Sequence, residues 1–406
     1  VLTRESLSRL LHLPRDMKIF LWTDACFGLS IGISNTLLNL HLNALGYGAT
    51  MLSLVNDVVP MVALILSVPL GHLADRYGRS KTLWLGTLLM ALGAVLVPLF
   101  LTRLGILFGE VVFAVGQAMI MSTEFAVVAQ YMPANDRHFS ISLVYANFTL
   151  MIGIGALLGG FLPAHLPLFH TLYGSTLLLG GLIFLIAPVG RLFLTPVPSM
   201  HKQGEKPAAL FERPNRQILT FSIFSFISGL AYGFVGPYLN LIIKNQFHMS
   251  VSLIGLLLAL NQCALFIGSV STSWLVERFA LQRTIAFLLI IVSLSYASLG
   301  FGASFLLFIV LLLIQSMSSM AFFPLLDSTA IDVVRDALRA KMQSYRALFR
   351  GVGNVISVYT GGLCLAHHAY GLAFLLTGFI YGGMLIYYLR FIRSQIGNTS
   401  SETLGA

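Results

Sequence analysis

Residues 71–83 read Gly71-His-Leu-Ala-Asp75-Arg76-Tyr77-Gly78-Arg79-Ser-Lys81-Thr-Leu83, a charged turn set between two long apolar runs. Those runs, 50–72 and 82–101, each match the length of about 20 residues that a helix needs to cross a bilayer. The glycines at 71 and 78 permit a tight reversal, because a residue without Cβ tolerates backbone angles closed to others. Arg76, Arg79 and Lys81 place basic groups where lipid headgroups would lie. An ionised Asp75 among them can cap a neighbouring helix or pair with an arginine. Two spanning helices joined by a charged turn form the unit from which the rest of the chain is built.

Working outward, the same pattern recurs at 18–43, 50–72, 82–101, 104–131, 139–163, 169–190, 216–243, 250–275, 284–302, 304–333, 341–366 and 370–390. Composition agrees: of 406 residues 57% are hydrophobic and 10% charged, against roughly 25% charged in a soluble domain. An all-α membrane protein of twelve transmembrane helices is predicted, and a soluble enzyme is excluded by its lack of polar surface. Cys26, Cys263 and Cys364 all lie in apolar stretches without metal-ligand spacing, so neither a disulfide scaffold nor a metal site is expected. The net charge of +9 is carried between apolar segments, where orientation and anionic lipid account for it and nucleic acid does not. Residues 1–18 show no apolar signal-peptide core, so the first window is expected to act as its own insertion signal.

The longest polar interruption, 191–215, holds Pro196, Pro198, Lys202, Glu205, Lys206, Pro207, Glu212 and Pro214 and reads as a cytoplasmic linker. It separates a predicted bundle at 1–190 from a second at 216–406, six helices in each. With the N-terminus in the cytoplasm, almost all basic residues fall on inner loops, Arg191 included. Only Arg103 and Lys244 face out, and Arg346 and Arg350 lie inside the eleventh window. That asymmetry predicts a multi-pass protein of the cell membrane with both termini cytoplasmic.

The halves resemble each other. A shift of 202 aligns 71–82 with 273–284, Arg137 with Arg339, and Gly159-Gly160 with Gly361-Gly362. The turn GHLADRYGRSKTL itself resembles the signature of the major facilitator superfamily between helices two and three, usually written GxLaDrxGrkxxl, with every fixed position met. The resemblance implies two pseudo-symmetric six-helix bundles, a substrate site at mid-membrane and secondary transport by alternating access. It implies no ATP site, no cofactor, an ion gradient as energy source, and a monomer. It further makes Gly71, Asp75, Arg76, Gly78, Arg79 and Lys81 a conformational latch. In the fifth window, 151–160 partly resembles the antiporter motif GxxxGPxxGG: Gly155, Gly159 and Gly160 fit, while Met151 and Ala156 depart. The same small residues would equally serve close helix packing. The fourth window has Val112 where the proton-antiporter pattern RxxqG has arginine.

Carboxylates inside apolar windows are costly, about 2.5–3.5 kcal/mol each on insertion scales, and are functional candidates for that reason. Asp24, Asp57, Glu110, Glu124 and Asp327 are the candidates for proton coupling, with Asp57 and Glu124 foremost. In the first window Asp24, Asn35 and Asn39 share a helical face with Gly28 between. Asn39 pairs with Asn240 in the second half, and the seventh window's Tyr232, Gly236, Pro237, Tyr238 and Asn240 suggest a broken, aromatic-lined segment. Arg346 and Arg350, one turn apart, can meet Asp327 and Asp332 as a gate of salt bridges or bind an anionic substrate directly. Asn35, Asn39, Tyr232, Tyr238, Asn240, Arg346 and Arg350 are thus the substrate-cavity candidates. Together these features predict a proton-coupled exporter of amphipathic or lipophilic small molecules. The alternative is a proton-coupled symporter or exchanger of a small organic anion or sugar. Protons, a small-molecule substrate and membrane lipids are the expected partners.

Overall fold

The computed structural model describes residues 13–128, 130–131, 137–166, 168–196, 215–302, 304–333 and 338–393. Some side chains within its helices, those of Asp75 and Arg76 among them, lie outside this description. The long helices are α1 (Arg15–Ala44), α2 (Ala49–Tyr77), α3 (Arg79–Leu99), α4 (Arg103–Val128) and α5 (Arg137–Phe161). α6 runs in two parts, Gly174–Phe184 and Ile186–Arg191, and α7 in Arg216–Gly233 and Leu239–Phe247 with a 3-10 turn at Gly236–Tyr238 between. They are followed by α8 (Val251–Phe279), α9 (Leu281–Gly300), α10 (Phe305–Asp332), α11 (Arg339–Ala366) and α12 (Tyr370–Tyr387), which ends in a π-helical turn. The break expected in the seventh window is therefore present at Gly236-Pro237, where proline lacks the amide that a continuous helix requires.

Among the described residues eleven helices are long and apolar enough to cross a membrane. The exception is α11, whose 28 residues suffice in length. Its arginines lower the hydropathy of its first half. Chain contacts divide the protein into two compact units: Val1–His41 with Ile65–Gln203, and Leu42–Leu64 with Gly204–Ala406. The first half of α2 belongs to the second unit, where Ser53 lies against Gly362 and Leu64 approaches Gly351 of α11.

Without a strong hydrophobic drive inside lipid, helix association relies on close backbone approach at small residues. In the first unit a Cβ on Gly32 of α1 would fall 2.8 Å from Ala156 N and Gly155 Cα of α5. In the second unit a Cβ on Gly229 of α7 would fall 3.0 Å from Asn354 N of α11, and one on Gly233 would fall 2.5 Å from Val358 N. Gly28 and Gly229 are 201 positions apart, as are Gly32 and Gly233, so the two halves use one packing device. Around these contacts each unit keeps its own apolar core. Phe27 stacks on Phe184 at 5.0 Å in the first, and Tyr296 stacks on Tyr381 at 5.6 Å in the second.

Candidate functional site

Packing at Gly28 determines what Asp24, one turn earlier on α1, can reach. A Cβ at Gly28 would lie 2.7 Å from Met151 Cβ, so α5 comes close enough for Asn147 to bridge. The Asn147 amide donates to Asp24 Oδ2 at 2.9 Å and to the Leu21 carbonyl at 3.0 Å. Asp24 and Glu124 of α4 are both buried.

Arg191 occupies the last turn of α6 and is 4% exposed. It was expected on an inner loop; instead its guanidinium turns back into the first unit. Its Nε donates to Thr23 Oγ1 at 3.4 Å and its Nη1 to Thr87 Oγ1. Both hydroxyls give their own protons to backbone carbonyls one turn back, Phe20 and Leu83, which leaves their lone pairs for the arginine. Nη2 stands 3.8 Å from Glu124 Oε1, and the guanidinium lies 5.0 Å from the Phe20 ring centroid. At 3.8 Å the pair is ionic without being a hydrogen bond, and neither atom has another hydrogen-bond partner. This part of the first unit thus holds two buried carboxyls and one buried guanidinium, of which Glu124 and Arg191 form the ion pair. Fully ionised, the group carries one excess negative charge; with a single proton it is neutral.

In the second unit Ser225 of α7 stands 201 positions after Asp24. It accepts from Arg346 Nε at 3.2 Å. Arg346 is 3% exposed, donates to Gln343 Oε1 at 3.3 Å through Nη1, and meets Asp327 of α10 through Nη2. Arg350 approaches the same Asp327 oxygen at 3.6 Å, and its guanidinium lies 5.9 Å from the Phe323 ring centroid. Asp327 and Arg350 are the open members, with side chains 45% and 43% exposed. The Nε of Arg350 and the Oδ1 of Asn354, one turn further along α11, are buried without hydrogen-bond partners. Among the described side chains two guanidiniums meet one carboxylate here; the side chain of Asp332, expected in the same cluster, lies outside the described residues.

The other candidates are dispersed. Asp57 belongs to the second unit and is buried, its Oδ1 without a partner. Glu110 is buried and makes no ion pair among the described residues. On the first helix's polar face Asn35 is exposed while Asn39 is buried, and Gly28 on that face is committed to α5. Tyr238 is fully buried with its hydroxyl donating to the Val358 carbonyl at 2.8 Å, and Asn240 is buried beside its own helix start. Tyr232 is exposed, with its ring over Gly236. In the charged turn Gly78 takes φ 98° and Arg79 opens α3; Lys81 is exposed. The side chains of Asp75 and Arg76 lie outside the described residues. No group of three or more metal-ligating side chains is found among the described residues.

Sequence reasoning missed Asn147, Arg191 and Ser225. The internal repeat could have flagged Ser225 as the counterpart of Asp24. Nothing local distinguishes Arg191 from an anchor at the membrane surface.

Residues 21–224 and 221–404 match the model of the Major Facilitator Superfamily. No curated protein matches by sequence. Among solved structures, a point mutant of the nucleoside transporter NupG is similar with a TM-score of 0.78 and 14% identity, over 92% of this chain and 98% of that one. The inward-open xylose transporter XylE from E. coli superposes with a TM-score of 0.75 at 11% identity, over 93% of this chain and 95% of its own. A bacterial homologue of the iron transporter ferroportin gives 0.73 at 16% identity, over 91% and 98%. At such identities these likenesses establish the common fold.

Proposed function

The chain belongs to the Major Facilitator Superfamily, and from that premise we propose that it is a proton-coupled transporter whose proton is carried by Asp24 and Glu124. The family makes it a secondary transporter of a small molecule rather than an enzyme. The observation that carries the proton assignment is the count of charges in the first unit's buried cluster: Glu124 pairs with Arg191, while Asp24 is buried with Asn147 as its hydrogen-bond partner and no ion pair of its own among the described residues. Arg191 balances one carboxylate, and a proton balances the other. A site that is neutral when protonated and anionic when not favours different helix arrangements in the two states, which is the differential that couples a bound ligand to a conformational change. The charged turn around Gly78 serves as the latch of that cycle, and the basic loops orient both termini to the cytoplasm.

Two substrate classes follow from the sequence. Export of amphipathic or lipophilic compounds rests on the aromatic, Met-rich interior. The glycines of α5 also serve close packing, since a Cβ on Gly155 would fall 3.0 Å from Gly32 Cα. Cotransport of a small organic anion is favoured by the two arginines that meet Asp327 in the second unit.

The assay is proton flux in liposomes loaded with a pH-sensitive dye, challenged with lipophilic cations, sugars and organic anions. Glu124→Gln and Asp24→Asn should each abolish substrate-dependent proton movement while substrate binding persists, and Asp57→Asn should retain it. Undiminished proton movement in both cluster variants would overturn the assignment.

A further inference from the structure

Charge in the interior of a span is costly and needs a compensating partner. Arg350 is the deepest member of the Asp327–Arg346–Arg350 group, 11 residues beyond the start of α11, or roughly 16 Å at 1.5 Å per residue. Among the described side chains, one carboxylate answers two guanidiniums.

The two arginines also differ in what they have left to offer. Arg346 is buried and directs Nε, Nη1 and Nη2 to Ser225, Gln343 and Asp327. It is held in place by the protein. Arg350 is half-exposed, reaches Asp327 only at ion-pair distance, and keeps an unpartnered Nε. A guanidinium presents its donors in a planar fork that suits a carboxylate. Here that fork opens beside the Phe323 ring. Phe323 is itself stacked on buried Phe322 at 4.4 Å, which fixes an apolar wall next to the cation. Asp327 shows where an anionic oxygen rests between the two arginines, and its own exposure leaves it free to yield that place.

We propose that Arg350, beside Arg346 and Phe323, is the binding site for a small organic monocarboxylate, with Asp327 as an internal competitor for the same guanidinium. The carboxylate pairs with the exposed part of the Arg350 guanidinium, and the apolar body of the ligand lies against Phe323. Arg346 is a positioning residue that holds Asp327 and sets the local charge. This deepens the transport reading by naming its substrate class, and rests on that reading only for the ligand's fate after binding.

The test is equilibrium binding to the purified full-length protein in nanodiscs, with benzoate as probe, benzamide as its uncharged isostere and inorganic phosphate as a compact anion. Wild type should bind benzoate in preference to both. Arg350→Gln should weaken benzoate by about tenfold or more, and Arg350→Lys by less, since lysine keeps the charge without the fork. Asp327→Asn should tighten benzoate, because it removes the competitor and leaves the site more cationic. A merely structural salt bridge gives no such gain. Equal binding of benzoate and benzamide, preference for phosphate, or unchanged affinity in Arg350→Gln would overturn the proposal, as would weakened binding in Asp327→Asn. Binding is read without transport, so the outcome is separable from the proton assignment. Benzoate binding with no proton movement in liposomes would leave this site standing and sink the coupling by Asp24 and Glu124.

Discussion

At Ala280 the backbone takes φ 63° and ψ 146°, a region that L side chains rarely enter. Its counterpart 202 positions earlier is Gly78, at φ 98° and ψ 134°, in the equivalent turn between α2 and α3. The two turns keep one backbone shape with different residues, and only the first carries the residue that the shape suits. Non-glycine residues in such regions cost of order 1–3 kcal/mol, partly offset by the greater unfolded-state freedom of glycine. Ala280→Gly should therefore stabilise the protein by about 1 kcal/mol, and Gly78→Ala should destabilise it by a similar amount. Thermal unfolding of the two variants in detergent should shift in opposite directions; shifts of the same sign would sink the argument. A Cβ at Gly78 would meet nothing within 4 Å, so the cost there comes from the backbone angle and not from crowding.

The helices differ in how much of their role could be read from sequence. α11 was legible: the register of Arg346 and Arg350, set against Asp327 and Asp332 on the preceding helix, predicts one cluster, and the structure brings Asp327 to both arginines while the Asp332 side chain lies outside the described residues. The end of α6 was not. Arg191 follows an apolar window and precedes a proline-rich stretch, which is also how a headgroup anchor reads. Its burial depends on a last turn that returns the chain to α1, where the Thr195 amide donates to Asp16 Oδ1 at 3.1 Å and the Tyr131 hydroxyl to the Thr195 carbonyl at 3.2 Å. Burial, with Asp16 adding to it, pushes the Tyr131 phenol up to about 12, so that hydroxyl remains a donor across the working pH range. Asn147 was missed because a lone asparagine in an apolar window is as easily a packing residue as a carboxylate's partner. Element chemistry also bears on insertion. An arginine near the centre of a helix costs about 2.5–3.5 kcal/mol on the translocon scale, and α11 holds two. Spliced singly into a reporter protein, residues 339–366 should fail to insert while 305–332 insert. Replacing Arg346 and Arg350 by leucine should restore insertion. Efficient insertion of the native 339–366 segment would mean that α11 needs no help from its neighbours.

At the level of the whole molecule the fold was the most legible part, because hydropathy windows, basic loops and the 71–83 turn are local signals repeated along the chain. The chemistry was less so. The duplication preserves Gly28 and Gly32 as Gly229 and Gly233, yet puts serine at 225 where the first half has Asp24. One scaffold thereby supports an acid-rich group in one half and a base-rich group in the other. This asymmetry has an electrical meaning. Counted over the described side chains, the two groups when empty carry opposite single charges that sum to zero; with the proposed proton and monocarboxylate bound, each is neutral. Both states that must cross the bilayer then move no net charge, whereas a carrier holding only the proton or only the anion would. A potential of about 100 mV does roughly 2.3 kcal/mol of work on each elementary charge moved. Cotransport of the two ligands should draw none of it. Clamping vesicles at different potentials with valinomycin and potassium should leave the carboxylate flux unchanged at fixed pH gradient, and a flux that tracks the clamp would refute one-to-one pairing. A protein built this way would answer only to the concentration gradients of its two ligands, and would go on working in a cell whose membrane voltage had collapsed.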